Sequence, residues 1–197
     1  MEQLKIGIDI DETICDHLTA ICDFYHQQRG VKVDPAQLTH DHALAQLWGI
    51  SYTEVGDVYT EFHRRDGHEK LRSFPEARPA LNRLNQHHQL LIVTARDPDI
   101  ADKTEDWLEQ HFGDLFSAVH FTRFRSKAPI CLRERLDVII DDSPQQALYC
   151  AQAGVKVILL DKPWNQDADH PLITRAVGWD QAEAVIEKMA VPDHRAG

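Results

Sequence analysis

Short apolar runs alternate with amphipathic segments along the second half of the sequence. The runs are residues 90–93, 118–122, 138–140 and 155–160. Each has the length of a buried strand. Apolar side chains in the intervals recur every three or four residues, which is typical of helices packed on a sheet. The pattern therefore predicts an α/β fold with a parallel sheet covered by helices on both faces.

Helices are predicted over residues 77–84, 100–112 and 147–153, with a final helix over 181–189. Gly113 and Gly154 follow two of these segments, where glycine commonly ends a helix. A first strand is predicted over residues 4–10, where isoleucines alternate with Gly7, Asp9 and Asp11. Since alternate residues of a strand face the same side, the two aspartates are predicted to share a face.

Residues 15–75 break this rhythm, because their apolar positions recur at helical spacing without a strand pattern of comparable strength. The segment directly follows the first strand, and loops at the carboxyl ends of parallel strands line the ligand crevice of such sheets. We therefore expect a small helical cap over residues 15–75. The catalytic core would comprise residues 1–14 and 76–197.

Composition restricts the partners of the protein. The 197 residues carry a formal net charge of −11, which argues against binding nucleic acid polymers through their phosphates. No apolar run is long enough to cross a membrane, the first residues lack the pattern of a signal peptide, and the four cysteines form no CxxC pair. A soluble, cytoplasmic protein with reduced thiols and no membrane association is the expectation; the oligomeric state is not predicted.

Acidic residues end two of the predicted strands. Asp9 and Asp11 end the first, and Asp141 and Asp142 follow residues 138–140. Carboxylates held together repel one another unless a hard cation such as Mg²⁺ or a shared proton joins them. Simpler roles remain open at this stage, since Asp11, Asp142 or Ser143 could cap the helix that follows.

Two further elements offer groups that suit a phosphate. The sequence Thr94-Ala95-Arg96 places a hydroxyl and backbone amides at a turn after a strand. Lys127 lies between the predicted strand over residues 118–122 and the acidic one. An isolated lysine is more often a solvated charge, and only its position between these strands favours a functional role.

Taken in order, these four elements resemble the motifs of the haloacid dehalogenase superfamily, over nearly the whole chain. The resemblance implies a Rossmann-like fold with Asp9 as the nucleophile, which would form an aspartyl-phosphate, and Asp11 as general acid and base. It implies Mg²⁺ bound by Asp9, the main-chain carbonyl of Asp11 and Asp142, with Asp141 in support. Thr94, Ala95, Arg96 and Lys127 would bind the phosphoryl group. Glu12 departs from the glycine commonest at its position, which bears on substrate class more than on chemistry.

The insertion after the first motif, the Thr94-Ala95-Arg96 turn with residues 104–108, and the late Asp161-Lys162-Pro163-Trp164-Asn165 resemble the 5'(3')-deoxyribonucleotidase group and its bacterial nucleotidase relatives. The resemblance implies a Mg²⁺-dependent phosphomonoester hydrolase that acts on a nucleoside monophosphate. Two alternatives stay open. The chain could hydrolyse another small phosphate ester, such as a sugar phosphate, or it could be a non-catalytic nucleotide- or metal-binding regulator.

Side chains of the predicted cap are less informative. Its aromatic residues are mostly expected in the core, although some could stack on a base; they are Phe24, Tyr25, Trp48, Tyr52, Tyr59 and Phe62. Arg96 and Trp164 are expected on loops near the phosphate by resemblance. The histidines form no ligand set of a known spacing. Those expected at the surface are His26, His40, His42, His63, His68, His87, His88 and His111.

Overall fold

The computed structural model describes residues 2–39, 43–65 and 67–191 of the chain. His40 and His42 therefore lie outside the described residues, as does the end of the predicted core beyond residue 191. The strands are, in chain order, β1 Lys5–Ile8, β2 Cys15–Asp16, β3 Arg72–Ser73, β4 Gln89–Thr94, β5 Val119–Phe121, β6 Val138–Asp141, β7 Lys156–Leu160 and β8 Ile173–Ala176.

The helices alternate with these strands. The α-helices are α1 His17–Arg29, α2 Ala43–Trp48, α3 Tyr52–Arg64, α4 Ala77–Asn85, α5 Ala101–Phe112, α6 Ala128–Glu134, α7 Pro144–Gln152 and α8 Gly178–Met189. Short 3-10 turns cover Pro35–Gln37, Gly67–Lys70, Pro98–Ile100 and Pro163–Asn165.

A parallel sheet forms the centre of the molecule. Within the described residues it has six strands in the order β5-β4-β1-β6-β7-β8. In register, Ile8 of β1 lies beside Ile92 of β4 on one side and Ile140 of β6 on the other. The chain runs outward from β1 to β5 and then crosses to β6, so the strand order reverses at β1. Open α/β sheets bind ligands at the carboxyl ends of the strands beside such a reversal.

Apolar side chains cover both faces of this sheet. Ile8, Ile92 and Ile140 belong to one buried cluster, which includes side chains of α4, α5, α8 and the segment between β2 and β3. Val93 and Ile139 belong to a second cluster with side chains of α6 and α7. Each fully buried aliphatic side chain stabilises the fold by about 1.5–3 kcal/mol relative to exposure. The predicted α/β architecture is confirmed.

The predicted elements differ from the observed ones mainly at their ends. The first strand ends at Ile8 rather than residue 10, whereas the predicted helix ends before Gly113 and Gly154 agree with α5 and α7. Strand β8 and helix α6 were not predicted. The short β8 alternates too briefly to stand out, and α6 has only seven residues.

The segment between β1 and β4 is mainly helical, as predicted, but a two-stranded ribbon was missed. Strands β2 and β3 pair antiparallel, with Cys15 beside Ser73 and Asp16 beside Arg72. The ribbon joins the two ends of the segment. We propose that residues 15–75, named the insert, form a unit separate from the core.

Local chemistry explains where the main helices of the insert begin and end. The Asp16 side chain accepts a hydrogen bond from Thr19 N at 3.1 Å, and α1 ends at Gly30, which adopts a left-handed φ of 73°. Ser51 and Glu54 form a reciprocal capping box at the start of α3. These contacts satisfy backbone groups that would otherwise lack partners at the helix ends.

Two further features bear on the sequence predictions. The four cysteines are free and buried, and Cys131 Sγ lies 3.9 Å from Cys150 Sγ although the residues are distant in sequence. Among the helices of the described ranges, none combines the length and apolar character that crossing a membrane requires.

Gly7 of β1 provides a test of how tightly the sheet packs against Leu136, which lies just after α6. A Cβ added there would lie 2.6 Å from Leu136 Cδ1 and 3.3 Å from Ile139 Cγ1. We expect Gly7→Ala to lower the free energy of unfolding by about 1–3 kcal/mol, because the added methyl overpacks the core. Gly56→Ala is the matched control, since nothing lies within 4 Å of a Cβ at this helical position. It should raise stability by about 0.5–1 kcal/mol. Chemical denaturation measures both, and equal effects would contradict the packing described.

Candidate active site

The first pair of acids lies in a tight loop after β1. The backbone N–H of Asp9 still donates to Ile140 O at 3.0 Å, after which the chain turns. Glu12 adopts a left-handed φ of 57° in this turn, which is uncommon for a residue other than glycine. Because β1 ends at Ile8, Asp9 and Asp11 both belong to the loop, and they bind different cationic side chains.

Three carboxylates converge at the carboxyl edge of the sheet. Asp9, Asp141 and Asp142 each offer an oxygen, and these atoms all lie within 4.8 Å of one another. All three residues are buried, with at most 8% of their surface exposed. The sheet order brings them together, because β6 is the hydrogen-bonded neighbour of β1. Buried carboxylates are costly unless cations or hydrogen bonds compensate their charge.

Lys127 provides part of that compensation. Its ammonium nitrogen lies 2.5 Å from Asp9 Oδ1 and 2.6 Å from Asp141 Oδ2, and its side chain is 1% exposed. The residue immediately precedes α6, and its backbone N–H donates to Gln146 Oε1 of α7 at 2.9 Å. The two helices therefore fix the backbone of Lys127, and the two carboxylates hold its ammonium group. The alternative that Lys127 is a solvated charge is wrong.

The remaining negative charge shifts the pKa values of the carboxyl groups. Burial raises the pKa of Asp9, and the charges of Asp141, Asp142 and Asp11 raise it further, against the opposing effect of Lys127. Burial and the neighbouring charge of Asp141 raise the pKa of Asp142 to about 8. One ammonium group thus does not balance the charge of three carboxylates. The net negative charge that remains favours the binding of another cation.

Asp11 has a separate partner, Arg96. The guanidinium group donates from Nε to Asp11 Oδ2 at 3.0 Å and from Nη2 to Oδ1 at 2.6 Å, and it is almost fully buried. Burial raises the pKa of Asp11, but the charge and hydrogen bonds of Arg96 lower it well below its ordinary range. Such bidentate pairs are among the stronger polar contacts in proteins. The described geometry therefore holds Asp11 ionised.

The turn after β4 positions Arg96. Thr94, the last residue of β4, is fully buried, and its Oγ1 accepts a hydrogen bond from the backbone N–H of Arg96 at 3.3 Å. Ala95 is half-buried, and its carbonyl accepts a hydrogen bond from Phe124 N at 2.7 Å. Thr94 and Arg96 thus lie at the same sheet edge as the acids, beside β1.

A cluster of histidines lies inside the insert, and the predicted surface exposure of His63, His68 and His88 is wrong. His63 and His68 are buried, and His88 is buried elsewhere, beside Leu4 N. His17 Nε2 lies 3.2 Å from His63 Nε2, and the His63 and His68 ring centroids are 4.7 Å apart. Burial lowers the pKa of His17 to about 4 and that of His68 to about 4. These imidazoles are therefore neutral at pH 7.

The aromatic side chains of the insert mostly form its core, as expected. Phe24, Tyr25, Trp48 and Phe62 are buried, whereas Tyr52 is 64% exposed.

Tyr59 on α3 differs from these residues, because its ring stacks on His17 at 4.9 Å between centroids. Burial raises the pKa of its hydroxyl, and the nearby charges of Asp11 and Glu12 raise it further. Tyr59 therefore lies close enough to the acidic loop to be affected by its charge.

Contacts of Glu12 and Asp142 were not predicted. Glu12 Oε1 accepts a hydrogen bond from Leu18 N at 2.7 Å and so links the acidic loop to the first turn of α1. Asp142 Oδ2 accepts a hydrogen bond from the indole N–H of Trp164 at 2.9 Å. No periodicity of the sequence indicates such contacts, and only its resemblance to the nucleotidase group draws attention to the Asp161–Asn165 segment. Ser143, not Asp142, caps α7 by accepting from Gln146 N.

The donor set fits a hard divalent cation. Carboxylate oxygens are the preferred protein ligands of Mg²⁺, and three of them lie within reach of one ion. A cation there would also relieve the repulsion that raises the pKa values of Asp9 and Asp142. The carboxylate of Asp11 lies outside this group and pairs with Arg96.

The raised pKa of Asp142 predicts an unusual dependence of stability on pH. The folded protein keeps this proton up to about pH 8, whereas an exposed aspartate releases it at about 3.9. Between these values the folded state binds more protons, so the free energy of unfolding falls as pH rises through this window. In EDTA at pH 8, we expect Asp142→Asn to raise stability by about 1–2 kcal/mol, or about 2–8 °C in Tm. At pH 4 the gain should vanish.

The control for this prediction is Asp114→Asn, which changes an exposed aspartate after α5. Thermal unfolding should give the same Tm for this variant and the parent protein at both pH values. An Asp142→Asn variant that is less stable than the parent protein at pH 8 without metal would contradict the charge balance described here.

Known proteins resemble this chain in sequence and in fold. The family model described as 5' nucleotidase, deoxy (pyrimidine), cytosolic type C protein matches residues 3–191. A nucleotidase from Clostridium acetobutylicum is 25% identical over 192 residues, which cover 96% of each chain.

Solved structures show the same fold. A haloacid dehalogenase-like hydrolase from Streptococcus pneumoniae superposes with a TM-score of 0.69 at 17% identity, covering 93% of this chain and 98% of the other. A predicted phosphatase from Clostridium acetobutylicum also gives a TM-score of 0.69, at 12% identity and 95% and 100% coverage. The chain therefore belongs to the cytosolic type C 5'-nucleotidase family, a phosphatase family of the haloacid dehalogenase superfamily.

Proposed function

We propose that the protein hydrolyses phosphate monoesters through an aspartyl-phosphate on Asp9, with Mg²⁺ as cofactor. The observation that carries the proposal is the position of Asp9. Its carboxylate is buried at the sheet edge, in contact with the Lys127 ammonium and close to the carboxylates of Asp141 and Asp142. A nucleophile needs to be ionised and shielded from bulk water. Burial provides the shielding, and the Lys127 ammonium together with a bound cation would favour the ionised form against the neighbouring carboxylates.

The reaction comprises two displacements at phosphorus. An oxygen of Asp9 attacks the phosphorus, the bond to the ester oxygen breaks, and the leaving oxygen takes a proton from Asp11. Water then attacks the phosphorus of the aspartyl-phosphate, Asp11 accepts a proton from this water, and phosphate leaves while the Asp9 carboxylate is restored. Asp11 suits both proton transfers because it lies two residues from the nucleophile in the same loop.

The contact between Asp11 and Arg96 must change during this cycle. Arg96 holds Asp11 ionised, whereas the first step needs it protonated. We propose that the dianionic phosphate competes for the guanidinium group, which binds phosphate in the same bidentate manner as carboxylate. Asp11 would then lose its cationic partner and take up a proton. Arg96 would thus bind the substrate phosphate and also control the protonation of Asp11.

Lys127 and Thr94 support the transferring group. Lys127 opposes the charge that accumulates on the phosphoryl oxygens, and it already lies against the nucleophile. The Thr94 hydroxyl and the Ala95–Arg96 backbone lie at the neighbouring strand end, where they can orient the phosphate. Mg²⁺ held by Asp9, Asp142 and the main chain of Asp11 would neutralise part of the repulsion between nucleophile and substrate.

A nucleoside monophosphate is the substrate class we propose. The family description names deoxy (pyrimidine) nucleotides, and the Clostridium relative is described as a nucleotidase. We propose that the insert, residues 15–75, acts as a cap that selects the organic group. Tyr59 and His17 supply stacked rings that lie close enough to Asp11 for its charge to affect their pKa values. Aromatic rings of this kind contact nucleobases well.

Replacement of the nucleophile tests the chemistry. With Mg²⁺, the protein should hydrolyse p-nitrophenyl phosphate, and Asp9→Asn should lower kcat by at least about 10³-fold because no aspartyl-phosphate can form. Phosphate release measures the rate, and circular dichroism checks the fold. Asp114→Asn again serves as the matched control and should keep full activity. An active Asp9→Asn variant would refute the nucleophile.

A substrate screen tests the proposed class. Deoxynucleoside and ribonucleoside monophosphates should give higher kcat/KM than sugar phosphates. Tyr59→Ala should raise KM for the preferred nucleotide by about tenfold, since one base stacking contact is worth about 1–3 kcal/mol. It should leave p-nitrophenyl phosphate hydrolysis nearly unchanged.

Tyr52→Ala is the control for this variant, because it removes an exposed tyrosine from the same helix. Sugar phosphates that rank equal to nucleotides would overturn the proposed substrate class, and the alternative of a general phosphatase would then apply.

A further inference from the structure

The three converging carboxylates are held in different ways. Lys127 binds both Asp9 and Asp141. Asp142 instead accepts a hydrogen bond on Oδ2 from Trp164 Nε1 at 2.9 Å, and its backbone carbonyl accepts one from Asn165 Nδ2 at 2.8 Å. Both the carboxylate and the backbone of Asp142 are therefore anchored by two consecutive residues of the segment after β7.

That segment is itself fixed from the neighbouring strands. Asn165 is fully buried and also donates to Leu160 O at the end of β7, at 2.7 Å. Arg175 of β8 donates to Asn165 Oδ1 at 2.9 Å, to the Asn165 carbonyl and to Ala168 O. The backbone next to Trp164 is thus anchored to β7 and β8 as well as to Asp142.

Lys162 further restricts the indole ring. Its ammonium nitrogen lies 5.7 Å from the centroid of the Trp164 ring and 4.8 Å from that of Phe74. Cations bind the faces of aromatic rings at such distances. The ring is therefore held by its face as well as by its edge, so the N–H group points at Asp142 in a defined direction.

A neutral hydrogen-bond donor, such as the indole N–H of Trp164, is well suited to orienting a metal ligand. A cationic partner would compete with a bound metal for Asp142, whereas an indole N–H fixes one carboxylate oxygen without adding a positive charge to the site. Groups that orient the ligands of a metal contribute to its affinity without touching the ion.

We infer that Trp164 is a positioning residue of the metal centre, which holds the Asp142 carboxylate in place for a divalent cation. This inference rests on the proposed function, because it needs a cation among Asp9, Asp142 and their neighbours. It adds a role for the segment after β7, which supplies no ligand of its own to the group of three carboxylates.

Trp164→Phe tests the inference, because it keeps a ring and removes the N–H group. The half-exposed position of Trp164 favours a folded variant. Mg²⁺ is titrated into the metal-stripped full chain by calorimetry, and Mn²⁺ binding is followed by electron paramagnetic resonance. We expect Kd for both ions to rise by about tenfold or more. At saturating Mg²⁺, kcat for p-nitrophenyl phosphate should return to near the parent value.

Trp107→Phe is the matched control. It removes an indole N–H that donates to Leu71 O at 3.2 Å, in a buried contact that involves none of the three carboxylates. Any general loss of stability should therefore appear in this variant too, while its Kd for Mg²⁺ stays within twofold of the parent value. Circular dichroism and Tm in EDTA compare the folds of the two variants.

The outcomes separate the two proposals. If the parent protein binds Mg²⁺ and Trp164→Phe binds it equally well, the inference is refuted and the proposed metal centre stands. If Trp107→Phe weakens binding as much as Trp164→Phe, the effect is structural and the inference is likewise refuted. If the parent protein binds neither Mg²⁺ nor Mn²⁺, the metal centre of the proposed function fails and the role of Trp164 fails with it.

Discussion

The ammonium group of Lys127 is the contact on which the site depends. It lies against Asp9 and Asp141 at the edge of the sheet, where the ends of β1 and β6 would otherwise place like charges together without compensation. Removing one partner of a buried ion pair is strongly destabilising, because it leaves a buried charge unpaired. The ion pairs therefore allow Asp9, which follows β1, and Asp141 of β6 to be buried side by side at the edge of the sheet.

A second cationic side chain, that of Arg96, gives the two acids of the first loop different partners. Asp9 belongs to the environment of Lys127, and Asp11 belongs to that of Arg96, although the two aspartates are only two residues apart. Their pKa values shift in opposite directions as a result. Enzymes that use two carboxylates for different steps commonly give them such unlike environments.

Much of the architecture could be predicted from the sequence, because buried parallel strands leave apolar runs and helix ends leave glycines. The strands around residues 90–93 and 138–140 and the helix end at Gly113 follow from those rules. The acids of the site could be singled out because charged residues at the ends of apolar runs are costly. The ion pairs of these acids could not be predicted, because only the spatial order of the strands brings Lys127 and Arg96 beside them.

Burial in the insert was harder to predict. His63 and His68 have polar side chains, and their histidine–histidine and histidine–aromatic contacts have no sequence period. The β2–β3 ribbon has only two residues in each strand, which is too short for an alternating pattern. Trp164 contacts Asp142 through a single N–H group, although the two residues are 22 positions apart in the sequence.

The β2–β3 ribbon also bears on how proteins of this architecture can diverge. Because Cys15 lies beside Ser73, the chain leaves the core and returns to it at nearly one point. Lengthening or shortening a loop whose ends already meet costs little free energy, about 0.6 kcal/mol for each doubling of its length. Whole helices between those two points can thus be exchanged in evolution or by design while the six-stranded sheet keeps its order, so the insert can change without changing the sheet edge that carries the acids.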